Sequence, residues 1–263
     1  MKNKALLVGI NKYPDPRNEL RGCVNDIIDM EHFISETNKV YSKENIKKLT
    51  NREATKKAIV TQIQWLIQGA EAGDQLLFHY SGHGAQAPTT NALIERDGLD
   101  EIICPYDFDG SSNTALRDKE FAQLFAAIPK GVHFVWISDS CHAEDLSKDP
   151  YVAGQTINYR KFQGLETIIY QNESKGVSPI AVEPPLNGAL LSACASHELS
   201  ADAIINNRFN GAFTYYLIKN LIQYGAHKSM KAVVNFVNAD LAKYGYDQNP
   251  QTEGLLENQP FFL

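Results

Sequence analysis

The chain has 263 residues, 43% of them hydrophobic, and 25 Lys and Arg against 31 Asp and Glu give a formal net charge of −6. That length fits one large α/β domain with a sizeable core. The acidic balance excludes nucleic acid or an anionic membrane as the main partner, and no apolar run approaches the roughly 20 residues that span a bilayer.

The basic start Met1-Lys2-Asn3-Lys4, followed by Ala5 to Ile10, is too short in its apolar part for a secretory signal. The expectation is a cytoplasmic protein, one domain over residues 1–263, with nothing preceding residue 4. Lys4 to Ile10 reads as the first, central strand and Asn11 to Arg17 as a loop with two prolines. Val24, Ile27, Ile28, Met30, Phe33 and Ile34 recur at helical spacing, so Gly22 to Thr37 reads as a helix with Cys23 and Asp26 on one face of its first turn. Ile46 to Leu49 is a short strand. Thr50-Asn51-Arg52-Glu53 fits a capping box opening a helix to about Ala70.

The next strand is the apolar run Leu76-Leu77-Phe78-His79-Tyr80, which runs out into Ser81-Gly82-His83-Gly84. Residues 85 to 100 are polar, with a turn at Arg96-Asp97-Gly98-Leu99-Asp100. Glu101 to Cys104 is apolar again, and Asp118 caps a helix to Ile128. A second buried-type strand, His133 to Ile137, ends in Ser138-Asp139-Ser140-Cys141-His142. Residues 143–187 lack a clear period, which inside a domain marks a functional loop or linker. Gly188 to Cys194 is a further strand, Gly211 to Tyr224 and Ser229 to Tyr244 are helices, and Gln259 to Leu263 reads as a final short strand. Strands alternating with helices predict a mostly parallel central sheet with helices on both faces, an α/β fold.

Two strands thus end in reactive groups. In open α/β sheets the active crevice lies beyond the carboxyl ends of the strands, so His83 and Cys141 fall on one edge. A thiol beside an imidazole is a nucleophile with its base. The backbone N–H groups of Gly84 and Cys141 are placed to hold an oxyanion. For a lone Cys or His a buried core residue is the better explanation; two at polar strand ends reverse the balance. His79 reads as a core histidine and His142 as structural. Alternation puts Asp139 and Ser81 on the floor next to the pair. Against this stands a plainer reading, in which Asp139 is a structural hydrogen-bonder and Asp26 a helix-start residue favouring the dipole. Of the four cysteines, Cys23, Cys104, Cys141 and Cys194, none forms a CxxC pair. A metal site and a disulfide framework are therefore not expected, and one reactive thiol with three buried ones is.

Tyr80-Ser-Gly-His-Gly-Ala-Gln86, Asp97-Gly-Leu-Asp-Glu101, Pro105-Tyr-Asp-Phe108 and Asp139-Ser-Cys-His142 resemble a metacaspase, a caspase-like cysteine protease. Arg21-Gly-Cys-Val-Asn-Asp26, Leu199-Ser-Ala-Asp-Ala203 and Gly211-Ala-Phe-Thr214 extend the resemblance over nearly the whole chain, in order. It implies a caspase-hemoglobinase fold and cysteine endopeptidase activity. It puts the catalytic dyad on His83 and Cys141, and a pocket for a basic side chain on Cys23, Asp26, Ser81 and Asp139. Asp202 matches a family aspartate to which no role is assigned.

The resemblance makes proteins and peptides with Arg or Lys at the cleavage site the expected substrates, cut after that residue, and a defence or cell-death role the setting. The chemistry needs no cofactor. Activation is expected to involve calcium, a small molecule, a protein partner or self-cleavage. Many metacaspases bind calcium through acidic residues after the histidine strand and before the next helix; that second region here is Leu116-Arg117-Asp118-Lys119. The segment 143–187 is expected to be mobile at rest and to complete the site once ordered; its Lys148, Arg160, Lys161 and Lys175 are candidate self-cleavage points. The competing function is a ligand-sensing or interaction module with little turnover, against which an intact His83 and Cys141 argue. A nucleotide-binding domain fails because neither glycine-rich phosphate motif occurs.

Overall fold

The computed structural model describes residues 2–88, 99–111, 113–141, 151–152, 155–162, 186–195 and 198–263. Its main sheet has six strands: β1 (Asn3–Gly9), β2 (Ile46–Thr50), β3 (Gln75–Ser81), β7 (His133–Asp139), β11 (Ala189–Ser192) and β14 (Gln251–Glu253). They lie in the order β14-β11-β7-β3-β1-β2, parallel except for the antiparallel edge strand β14.

Alternation along these strands builds two cores. Ala5, Leu7, Leu77, Val135, Ile137 and Leu191 face α1 (Cys23–His32), α4 (Ala212–Tyr224) and α5 (Met230–Lys243). Leu6, Val8, Leu76, Phe78, Tyr80 and Phe134 face α2 (Lys56–Ile67) and α3 (Asp118–Phe125). A sheet buried on both faces explains the nearly unbroken apolar runs of β1 and β3. The expected α/β architecture, mostly parallel with helices on both faces, is the one observed.

The smaller strands sit beyond the sheet's carboxyl edge. β4 (Gly84–Pro88), β5 (Leu99–Ile103) and β6 (Leu116–Arg117) form one antiparallel ribbon. β8 (Tyr151–Val152) and β9 (Gln155–Thr156) pair as another. β10 (Asn158–Tyr159) pairs with β12 (Ala201–Ile205), itself joined to β13 (Arg208–Gly211).

Several boundaries differ from the sequence reading. The first helix turns π-helical at Phe33–Thr37. The capping box at Thr50 and Glu53 forms, but it closes a 3-10 turn, and α2 restarts after Thr55, whose hydroxyl caps Ala58 N–H. Arg117 rather than Asp118 stands at the N-cap position of α3, and its N–H donates to the Glu120 carboxylate at 3.1 Å. The tail is not a strand: β14 takes the sheet edge, and Phe261 and Phe262 go into the core. The β12–β13 hairpin was missed, although Asn206 and Asn207 stand in the left-handed region at φ 51° and 61°, the pattern of a tight hairpin turn. The turn expected over Arg96 to Asp100 fails at its end, where Leu99 and Asp100 pair with β4 as the start of β5; Arg96, Asp97 and Gly98, like His142, Lys148 and Lys175, lie outside the described residues.

Candidate active site

Register brings the two polar strand ends together. Ser81 of β3 stands opposite Asp139 of β7, and Gly82 N–H donates to the Asp139 carbonyl at 3.3 Å. His83 and Cys141 each follow two residues on, both buried at the same edge of the sheet.

Beneath that edge is an acidic pocket. Asp26 comes from α1, Ser81 from β3, Asp139 from β7 and Asp202 from β12, and all four are buried. The first turn of α1 has no side-chain cap of its own. Asp202 supplies one from 180 residues away, accepting from Gly22 N–H at 2.7 Å and from Arg21 N–H at 2.9 Å. A Cβ on Gly22 would collide with that carboxylate, so glycine is what lets Asp202 close on the helix start. This gives Asp202 a structural part: it anchors the helix that carries Asp26.

Asp139 is fixed in turn. Its Oδ2 accepts from Thr214 N–H at 3.1 Å and Thr214 Oγ1 at 2.6 Å in the first turn of α4, and its Oδ1 from Ser200 Oγ at 2.7 Å. The plainer reading of Asp139 as a hydrogen-bonder therefore holds alongside its place in the pocket. Asp26 Oδ1 accepts from Gly211 N–H at 2.8 Å, and its Oδ2 from Ser81 Oγ at 2.7 Å.

The pocket is filled by Arg160. This side chain is fully buried and reaches Asp26 Oδ2 at 2.6 Å, Asp139 Oδ1 at 3.1 Å and Asp202 Oδ1 at 3.6 Å. It also donates to Ser81 Oγ at 2.6 Å and to the Asp139 carbonyl at 2.9 Å. Gly211 forms one wall, where a Cβ would strike both Asp139 and the guanidinium. Three carboxylates around one cation leave the site short of positive charge. Burial accordingly lifts the Asp26 carboxyl to about 6, although Arg160 pulls it down. Burial also raises Asp202. Cys23 lies against the same cluster, near Arg160 and Ser81, and burial pushes its thiol well above the usual range.

The backbone around Arg160 is held as a strand. Asn158 and Tyr159 pair antiparallel with Asp202 and Ala201, Arg160 N–H donates to Ser200 O at 3.1 Å, and Gly84 N–H donates to Arg160 O at 3.1 Å. The glycine expected to bind an oxyanion thus already binds the carbonyl of the residue in the pocket. Arg160 and Lys161 are the two candidate self-cleavage points that are described, and Arg160 is the one seated.

His83 Nε2 donates to the Asn18 carbonyl at 2.9 Å, while Nδ1 has no hydrogen-bond partner among the described residues. With Nε2 donating, Nδ1 is the nitrogen left to take up a proton, and the Arg160 backbone beside the ring favours the charged form, as the Asn18 carbonyl does. Burial holds the imidazole down at about 4, so it is neutral near pH 7. Cys141 Sγ accepts from Ser200 N–H at 2.6 Å and donates to Ser200 O at 3.3 Å. Cys104 and Cys194 are pushed well above the usual thiol range, Cys104 by burial alone and Cys194 first by its contact with Cys141. His79 bonds Thr214 Oγ1 at 3.3 Å through Nε2 only.

Of the acidic residues beyond the histidine strand, Glu95 and Asp97 lie outside the described residues. Asp100 is fully buried, one oxygen paired with Arg117 at 2.7 Å and the other with Lys119. The chain's own cations thus hold both oxygens of Asp100.

Sequence reasoning missed Asn18, because a backbone carbonyl that orients an imidazole leaves no mark on residue type. It missed Ser200 and Thr214 for a related reason: their roles depend on contacts 59 to 75 residues away along the chain.

Residues 3–149 match the model of a family described as "Metacaspase, peptidase C14 domain". Over 95% of its length the chain is 31% identical to Metacaspase-1 of Mycosarcoma maydis and 30% identical to Metacaspase-1 of Candida albicans. It spans 69% and 64% of those proteins, about two-thirds of their length. A solved structure of a protein from Geobacter sulfurreducens superposes with a TM-score of 0.71 at 26% identity, covering 100% of this chain and 99% of the other. The match to the family model runs through both strand ends that carry His83 and Cys141, and on these grounds the chain belongs to the metacaspases, the cysteine peptidases of the C14 family.

Proposed function

We propose that this protein is a cysteine endopeptidase that cleaves after Arg or Lys, with Cys141 as nucleophile, His83 as acid and base, and an uncut chain that occupies its own cleft. The observation that carries the reading is Arg160, whose guanidinium meets Asp26, Asp139, Asp202 and Ser81 in full burial. A pocket that satisfies a buried guanidinium accepts one from a substrate; its five donors match the acceptors, and a Lys ammonium fits as a point charge. An Asp side chain there meets like charges in a desolvated site.

The steps follow from the atoms present. His83, oriented by the Asn18 carbonyl, takes the Cys141 proton on Nδ1. For this the thiol turns away from Ser200 O. The thiolate attacks the carbonyl carbon, whose oxygen is held by Gly84 N–H in the position that Arg160 O now takes. The imidazolium returns the proton to the leaving amine, and water then hydrolyses the thioester. The target bond in the chain itself is Arg160–Lys161.

The test compares reporter peptides ending in Arg, Lys or Asp before the cleaved bond. Arg and Lys peptides are expected to be hydrolysed and the Asp peptide not, with Asp139→Ala losing the Arg preference by about a hundredfold, near 3 kcal/mol. Preference for Asp, or an unchanged Arg preference in Asp139→Ala, contradicts the reading.

The pocket also sets a pH dependence. Asp26 titrates at about 6 with a guanidinium beside it. Without that cation it titrates higher, since Arg160 is what lowers it. Below that point the pocket loses a negative charge, so kcat/KM for Arg peptides is expected to fall on an acid limb at or above about pH 6, seen mainly as a rising KM. The stability effect has the opposite sign. The folded carboxyl binds its proton more tightly than the ordinary value of 3.8, so its contribution is present below that value and lost as pH rises through about 6. An Asp26→Asn variant should lose both trends; a pH–rate profile and denaturation at two pH values measure them.

A further inference from the structure

The residue two beyond Arg160 is Phe162, and it is 9% exposed. Its ring stands edge-on to Phe108 at 4.9 Å, to Tyr13 at 5.7 Å and to His83 at 5.7 Å. Tyr13 in turn tilts over His83 at 4.9 Å, and its hydroxyl accepts from His83 N–H at 3.0 Å. Two rings, Tyr13 and Phe108, thus make an aromatic niche for Phe162 next to the imidazole. Lys161 forms a bridge to Gly84 on the way there.

We propose that this niche, walled by Tyr13 and Phe108, is a substrate-binding subsite for an aromatic side chain at the second position after the cleaved bond. The proposal rests on the reading of the cleft as Arg-directed. Its logic is directional. The imidazole must protonate the amine of the residue after Arg, so the chain on the leaving side has to run past His83. Phe162 lies there, while Tyr159, on the other side of Arg160, packs with Cys141 and Leu199. Nucleophile and acid thus flank the Arg160–Lys161 bond on the sides the chemistry requires. Edge-to-face rings at these distances gain more than equal aliphatic area would, so the niche selects for aromatic shape and not only for apolar bulk. The preferred substrate class is a peptide with Arg, any next residue, then Phe or Tyr.

The test measures binding, which needs no activator. The full chain carrying Cys141→Ala, Arg160→Ala and Phe162→Ala, catalytically dead and with both pocket and niche vacated, is titrated with the capped peptide Ile-Asn-Tyr-Arg-Lys-Phe. Versions carrying Ala or Leu for Phe, and Ala for Arg, are compared. Ala for Phe is expected to raise Kd about tenfold, with Leu in between. Adding Phe108→Ala to the protein should shrink the Phe-to-Ala ratio to about twofold or less. Equal Kd for the Phe and Ala peptides, or Leu equal to Phe, overturns the aromatic subsite even if Ala for Arg abolishes binding, which leaves the Arg-directed reading intact. Equal binding by the Arg and Ala-for-Arg peptides overturns that reading instead. Should Phe108→Ala fail to fold, the peptide series on the parent variant decides the question alone.

Discussion

Cys141→Ala is expected to abolish peptide hydrolysis, and His83→Ala to lower kcat by about a hundredfold to ten-thousandfold, the range for losing a positioned acid and base. Both variants should stay folded. Cys141 is a small buried side chain held by the Ser200 backbone and by Cys194, and among the described residues the imidazole is held by backbone alone, at Asn18 and Arg160. Ala at either place leaves the acidic pocket untouched. The measurement is single-turnover kinetics on an Arg reporter peptide, with circular dichroism on the same samples. Substantial turnover by Cys141→Ala would remove the thiol from the mechanism.

Arg160→Ala is expected to act in the opposite direction. In the uncut chain the pocket holds its own guanidinium, so an external Arg peptide competes with a tethered one. A pocket open in a tenth of the molecules or fewer weakens apparent affinity at least about tenfold. Freed of its occupant, Arg160→Ala should hydrolyse added Arg peptides at least about ten times faster than uncut wild type. Arg160→Lys should behave like wild type, since an ammonium still reaches the carboxylates. Equal rates for uncut wild type and Arg160→Ala would show that residues 157–162 do not obstruct the cleft. The vacated pocket takes in water, which the three carboxylates need once their cation is gone.

Much of the site could be read from residue order because it follows from one rule. Parallel strands end at a common edge, and side chains alternate along them, so residue order alone puts Ser81, His83, Asp139 and Cys141 together. The sheet was legible for the same reason: β1, β3 and β7 are apolar runs stopped by polar residues. What could not be read depends on contacts between distant segments. Nothing local marks Asp202 as the cap of α1, because capping is normally supplied by the residue next to the helix. Nothing local separates Arg160 from Lys161, Lys148 or Lys175 as the cation to be seated; that choice is made by pairing of Asn158 and Tyr159 with β12. The tail misled because two adjacent phenylalanines suit a strand as well as a core plug, and only the position of β14 decides between them.

The account's central claim is that Arg160 sits in the cleft as a substrate does. Purified wild type, incubated until it begins to process itself, should be mapped by intact mass and by sequencing of new N-termini, beside Cys141→Ala and Arg160→Ala. The account predicts a new N-terminus at Lys161 in wild type and none there in either variant. A wild-type chain that processes itself at other points while Arg160–Lys161 stays whole, or that yields the same Lys161 terminus from Cys141→Ala, would contradict it.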